Sequence, residues 1–303
     1  MAVRIILVLL NLCLLSSFLF LEAQEDDLLQ KADELDWQGL YKEELNLLQT
    51  AFLNAKNTLQ KAEFAWRLSR AILNYTEKEH LAGRLTTEQA LKAYEEGERY
   101  ADMAITFNPR SPDGYFWKSA QMGIWGQTRG VLDSLFKVAP MHENLRLALR
   151  QDPNYADAFY VLGELYEKAP GWPLSIGNIE YAVSLGRKAC DLMEEQVQNG
   201  KLRAKNYVYY IALASHLWNR NWDFGKRRQS QNELKNKYYE KKDWLEKHFF
   251  YEGIIELKKI SDREEALQIL NMVIRELSNL PTRTGGQEKD LKSARDLLKT
   301  LQK

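Results

Sequence analysis

Two stretches of this chain repeat each other 44 residues apart. The first runs Ala104-Ile-Thr-Phe-Asn-Pro109, then Asp113-Gly-Tyr-Phe-Trp117. The second runs Ala148-Leu-Arg-Gln-Asp-Pro153, then Asp157-Ala-Phe-Tyr-Val-Leu-Gly163. Each reads as the end of one helix, a proline stop, and a new helix with aromatics near its start. A unit of that kind cannot bury its apolar face alone, so copies must stack. The expected product is a row of helical hairpins, whose natural use is a binding surface rather than a catalytic pocket.

The rest of the chain agrees with helices. Only 7 prolines and 16 glycines occur in 303 residues, which leaves little material for turns. Phe64, Leu68, Ala71, Ile72 and Tyr75 share one helical face. Leu270, Val273, Ile274 and Leu277 share another, and Leu291, Ala294, Leu298 and Leu301 a third. Stops are expected at Gly39, Pro109, Pro140, Pro153, Pro170 to Pro173, Gly200, Gly225 and Pro281 to Gly286. This predicts an all-α chain of roughly eleven or twelve helices, without a linker that would split it.

The N-terminus reads as an address. Arg4 precedes an apolar run from Ile5 to Leu21, followed by Glu22, Ala23 and the acidic Gln24-Glu-Asp-Asp27. A secretory signal over 1–23 and a single mature domain over 24–303 are expected, which implies export to the periplasm or cell envelope. Leu21 is a poor residue three positions before the cut, so an uncleaved anchor stays open. A lipoprotein reading at Cys13 fails on Leu12, where a small residue is needed. Removing the signal leaves Cys190 alone, so no internal disulfide can form. Asn74-Tyr-Thr76 is a glycosylation sequon.

Within the second repeat, Phe159, Leu162, Gly163 and Tyr166 recur on one face. Ala182, Leu185, Gly186 and Ala189 follow on the next helix, small where the two should touch. This pattern resembles the tetratricopeptide repeat. The departures are a long turn from Pro170 to Gly177, Lys118 and Ser119 where Leu-Gly would stand, and a spacing of 44 rather than roughly 34 residues. A narrower resemblance rests on Glu63-Phe-Ala-Trp-Arg-Leu68, Gly114-Tyr-Phe-Trp-Lys-Ser-Ala120 and Asp157 to Tyr166, in that order, with a helical insert between the last two. Together they resemble the T component of TRAP transporter systems and the related regulators of microtubule dynamics. The first resemblance implies an exported scaffold for a protein partner, namely a periplasmic substrate-binding protein.

Little points to chemistry. His80, His142, His216 and His248 stand alone in sequence, so no metal is expected. Cys190 sits on a packing helix beside Ala189 and reads as a buried thiol. Phosphate-loop, dinucleotide and nucleophile-elbow patterns do not occur, so neither a cofactor nor an enzyme is expected. Lys+Arg and Asp+Glu balance at 42 each. The charge is unevenly placed, acidic over 25–46 and basic over 225–247, and both stretches read as solvated helices, with an acidic partner or lipid headgroups as the alternative for the basic one. Tyr238, Tyr239 and Trp244 interleave with the basic one, but an exported protein is not expected to bind nucleic acid.

If Phe159, Leu162 and Tyr166 face the core, then Asp157, Tyr160 and Glu164 share another face of the helix. In a tetratricopeptide solenoid that face lines the concave groove. The 44-residue offset adds Asp113, Phe116 and Ala120. Asp113, Phe116, Asp157, Tyr160 and Glu164 are therefore the expected partner-binding residues. The alternative is a module for a small apolar ligand held between helices, with Trp117, Trp125 and Trp172 as its expected lining.

Overall fold

The computed structural model describes residues 27–130 and 132–302, and the expected signal segment lies outside them. The chain runs as α1 (27–38), α2 (Tyr41–Asn54), α3 (Thr58–Leu81), α4 (Thr87–Phe107), α5 (Pro112–Arg129) and α6 (Val138–Gln151). It continues as α7 (Ala156–Lys168), α8 (Ile179–Gln198), α9 (Tyr207–Arg220), α10 (Phe224–Glu240), α11 (Asp262–Ser278) and α12 (Gly285–Leu301). Two 3-10 segments, Leu132–Lys137 and Glu246–Ile254, interrupt the series. Among the described residues there are no strands, only one isolated bridge between Gly171 and Gly177. The fold is the expected all-α, solenoid-like stack.

Local chemistry sets the helix starts. Thr86 and Gln89, Ser261 and Glu264, and Thr284 and Gln287 form reciprocal capping boxes. Asn57, Asn178 and Asp223 each cap with the side chain alone. Pro140 and Gly225 were expected as stops, yet both lie in the first turns of α6 and α10. The first turn has no intrahelical acceptor for its N–H groups, so proline costs nothing there.

Successive hairpins α3/α4, α5/α6 and α7/α8 stack side by side, with α3, α5, α7 and α9 as neighbours along the inner face. The central core is one cluster running from Phe116 to Ala294. At the α7–α8 crossing, Leu162, Tyr166, Ala182 and Ala189 are all buried, as expected. Gly163 lets the backbones meet: a Cβ there would stand 3.3 Å from the Ala182 carbonyl oxygen and 3.5 Å from the Gly186 nitrogen.

Charge does what the sequence hides. Glu44 sits fully buried in the acidic stretch expected to be solvated. Burial pushes its carboxyl up to about 7 against the Arg70 guanidinium 2.7 Å away. Asp33 accepts from Arg67, and Asp36 lies beside Arg70. In the basic stretch, Arg227 is buried too. It joins Arg187, Arg220, Glu252, Asp262 and Glu265 in a closed network. Arg187 bridges Glu252 at 2.9 Å and Glu265 at 2.8 Å, while Arg220 pairs with Glu252 and, at 2.8 Å, with Asp262. The sequon is closed off: Asn74 lies within α3, its Nδ2 donates to Asp36, and Thr76 is buried.

Two predictions follow from this packing. Burial pushes the Glu252 carboxyl up, but Arg187 and Arg220 overcome that and hold it near 2, below its ordinary 4.5. The unfolded chain therefore takes up this proton first. The stabilisation is complete above pH 4.5 and is lost as pH falls toward 2. Glu252→Gln leaves buried guanidiniums short of charge and should cost about 3–5 kcal/mol at neutral pH. Urea melts at about pH 7 and about pH 4 should show that the variant has lost part of the parent's acid dependence. Equal acid sensitivity in both proteins would contradict the assignment. Separately, a Cβ on Gly253 would fall 2.3 Å from the Lys235 backbone nitrogen and 2.5 Å from the Leu234 carbonyl carbon. Backbone cannot step aside as a side chain can, so Gly253→Ala should cost about 3 kcal/mol or more in thermal denaturation.

Candidate functional site

The inner face repeats itself as the sequence does. Asp113 stands in the first turn of α5 and accepts a hydrogen bond from the Tyr155 hydroxyl at 2.8 Å. Asp157 stands in the first turn of α7 and accepts from the Tyr209 hydroxyl at 2.5 Å. Three residues after each Asp, an aromatic meets the same tyrosine. Phe116 packs edge-on to Tyr155 at 5.2 Å, and Tyr160 stacks on Tyr209 at 5.0 Å. The 44-residue offset thus marks a clasp made twice. The start of an inner helix holds a tyrosine from the next hairpin by its hydroxyl and by its ring. Burial raises the Asp157 carboxyl and pushes both tyrosine hydroxyls well above their ordinary value.

This changes the roles of the expected groove residues. Asp113 and Asp157 are taken up by the clasp. Phe116 is buried between Trp117 and Tyr155 rather than presented to solvent. Helical periodicity finds the face that leaves the core, but not what the next hairpin lays over it. Tyr160 and Glu164 are only partly buried. Both line a cavity of about 220 Å³ on this side of the molecule.

The cavity lies between α5, α6 and α7, with Leu73 of α3 closing one side. Its walls are mostly apolar: Ala120, Met122, Ile124, Val138, Met141, Val161 and Leu165. Lys137, Glu164, Lys168 and Ser134 supply the polar edge. Lys137 pairs with Glu98 at 2.9 Å and lies over the Trp125 ring at 4.9 Å. Lys168 pairs with Glu164.

The three tryptophans expected to line an apolar site are not brought together. Trp117 packs on Phe116. Trp125 donates from Nε1 to Glu95 at 3.2 Å and packs on Phe136, behind Lys137. Trp172 stands 89% exposed on the turn after α7. The actual lining is aliphatic and small, a composition that does not stand out from ordinary core in a sequence.

The histidines prove less isolated than their spacing suggested. His142 Nε2 lies 3.0 Å from the Tyr166 hydroxyl. Burial, with Lys188 and Lys247 nearby, lowers His248 to about 4. His216 of α9 meets Glu164 and Glu167 of α7. Cys190 is buried, as expected, and burial pushes its thiol far above the ordinary value.

Compared with known proteins, residues 28–168 match the model of the family described as Regulator of microtubule dynamics protein 1-3. No curated protein matches the chain. The matched stretch ends with α7 and contains both clasp aspartates and every residue lining the cavity except Ala169.

Proposed function

We propose that this chain is a non-enzymatic scaffold that binds a protein partner through its concave face. The partner places an apolar anchor in the cavity between α5, α6 and α7. The observation that carries this reading is the cavity's composition, apolar walls with a charged edge at Lys137, Glu164 and Lys168. An anchor side chain fits such a volume, and a charged rim sets the orientation of what enters. The resemblance to the TRAP transporter T component makes an exported substrate-binding protein one partner class. The family matched over residues 28–168 bears a name that makes a cytoskeletal partner another. A small apolar ligand is the second reading, favoured by the predominantly apolar side chains of the cavity walls.

Ala120 lines the cavity without being fully buried. Ala120→Trp should fill the space and barely move the thermal midpoint. A photo-crosslinker at Lys168 should then lose its partner adduct, and partner affinity should fall at least about tenfold, or about 1.4 kcal/mol. Anilinonaphthalene sulfonate serves as the apolar probe for the second reading. Loss of dye binding with partner affinity unchanged would move the conclusion to the ligand. Loss of neither would remove the cavity from both readings.

A further inference from the structure

We infer that Glu164, Glu167 and His216 form a binding site for a divalent first-row transition-metal ion, at the contact between α7 and α9. This does not depend on what occupies the cavity. The three groups come from positions that no motif connects: two carboxylates one turn apart on α7 and an imidazole on α9. Their ligand atoms nevertheless all lie within 4.8 Å of one another. Small side-chain rotations bring three such atoms to the bond lengths of about 2.0–2.2 Å that such ions require.

The independent observation is His216 itself. Its side chain is fully buried, and Nε2 has no hydrogen-bond partner. Nε2 is pinned at the glycine crossing, 3.1 Å from where a Cβ of Gly163 would be. Nδ1 faces the carboxylates and lies 3.2 Å from Glu167 Oε2. A fully buried imidazole with one carboxylate contact at 3.2 Å, a second carboxylate close by and no partner for Nε2 is poorly used by the protein alone.

Glu167 is held for the purpose. Its Oε1 accepts from Ser215 Oγ at 3.0 Å and Asn219 Nδ2 at 2.8 Å, which turns Oε2 toward His216. Hydrogen bonds of this kind orient metal ligands in established sites. Glu164 is only partly buried and pairs with Lys168, whose side chain is exposed. The lysine end of the pair is solvated and can swing into water, so Glu164 can exchange it for a metal. One imidazole nitrogen and two carboxylate oxygens suit Zn²⁺, Mn²⁺ or Fe²⁺ better than Ca²⁺, which takes six to eight oxygens. Because Glu164 also lines the cavity, the ion's remaining positions would open toward it. A plain His216–Glu167 pair accounts for one contact. It does not account for Glu164.

The test uses the full chain stripped with a chelator, then titrated with Co²⁺ and Zn²⁺. One equivalent of Co²⁺ should bind with visible d–d absorption, Zn²⁺ should displace it, and the thermal midpoint should rise with metal concentration. Glu164→Gln should weaken binding at least about tenfold and leave the metal-free midpoint in place, since Glu164 is not core. His216→Gln should abolish the Co²⁺ spectrum, but a folding defect there would obscure the result, so Glu164→Gln decides. Stoichiometry well below one, or equal affinity in Glu164→Gln and parent, would overturn the proposal and leave His216 as a structural partner of Glu167.

Discussion

Six buried charges hold the C-terminal half of this solenoid in register. Arg187 comes from α8, Arg220 from α9, Arg227 from α10, Glu252 from the second 3-10 segment, and Asp262 and Glu265 from α11. Each element contributes at least one member, so none can shift without stranding a charge. The backbone is tied in as well, with Arg227 donating to the Ile260 carbonyl and Asp262 accepting from the Trp222 N–H. Such a network adds little stability over a well-packed apolar core, because desolvation consumes most of the attraction. Its value is geometric. An apolar contact tolerates sliding, whereas three guanidiniums and three carboxylates fit in one arrangement. That arrangement fixes α9, and α9 carries both Tyr209 and His216 to the inner face.

A second charge cluster does the same at the other end. Arg67 and Arg70 of α3 gather Asp33, Asp36 and Glu44 from α1 and α2. Terminal units of a solenoid lack a neighbour on one side, so apolar stacking alone cannot define them. Here fixed charge takes that place at the N-terminal end, and the α7–α8 crossing is left to small residues and close approach, as at Gly163 and Gly186. The two ends also meet. Lys289 of α12 reaches Glu77 of α3 at 2.7 Å, and Arg203 reaches Glu34 of α1 at 2.7 Å. These pairs are solvent-exposed and individually weak. They tie the two halves of the chain more loosely than the buried clusters do.

The helices, their apolar faces and the glycine crossing could all be read from spacing. Phe159, Leu162, Tyr166, Ala182 and Ala189 needed only the 3.6-residue period. The charged residues could not be read so. Arg227 and Glu44 look like solvated residues because that is where arginine and glutamate usually belong. Their partners lie far off in sequence, and only the finished fold brings them close. The same limit applies to Asp157 and Phe116. A helical wheel assigns them to a groove face, yet Phe116 lies buried in the main core cluster. The wheel carries no information about Tyr155 and Tyr209 arriving from the next hairpin. For Glu164, Glu167 and His216 the only sequence trace is the one-turn spacing of two glutamates, which is commonplace.

The irregularity of the repeat matters more than the repeat. A regular tetratricopeptide spacing of roughly 34 residues would bring α6 directly after α5, with no room between. The 44-residue offset leaves about ten residues to spare, and they include the 3-10 segment Leu132–Lys137. Ser134 and Lys137 of that segment stand in the cavity wall. Gly126, also in the wall, sits so close that a Cβ on it would meet the Ser134 hydroxyl at 3.1 Å. The inserted turn therefore supplies one wall of a space that a regular stack would not contain. The long turn after α7 acts at the opposite edge, where Lys168 and Ala169 complete the lining. A stack of identical hairpins has no reason to be hollow at one place. The mostly apolar cavity of this one lies where two insertions interrupt the stack, and that is where its binding capacity should be sought.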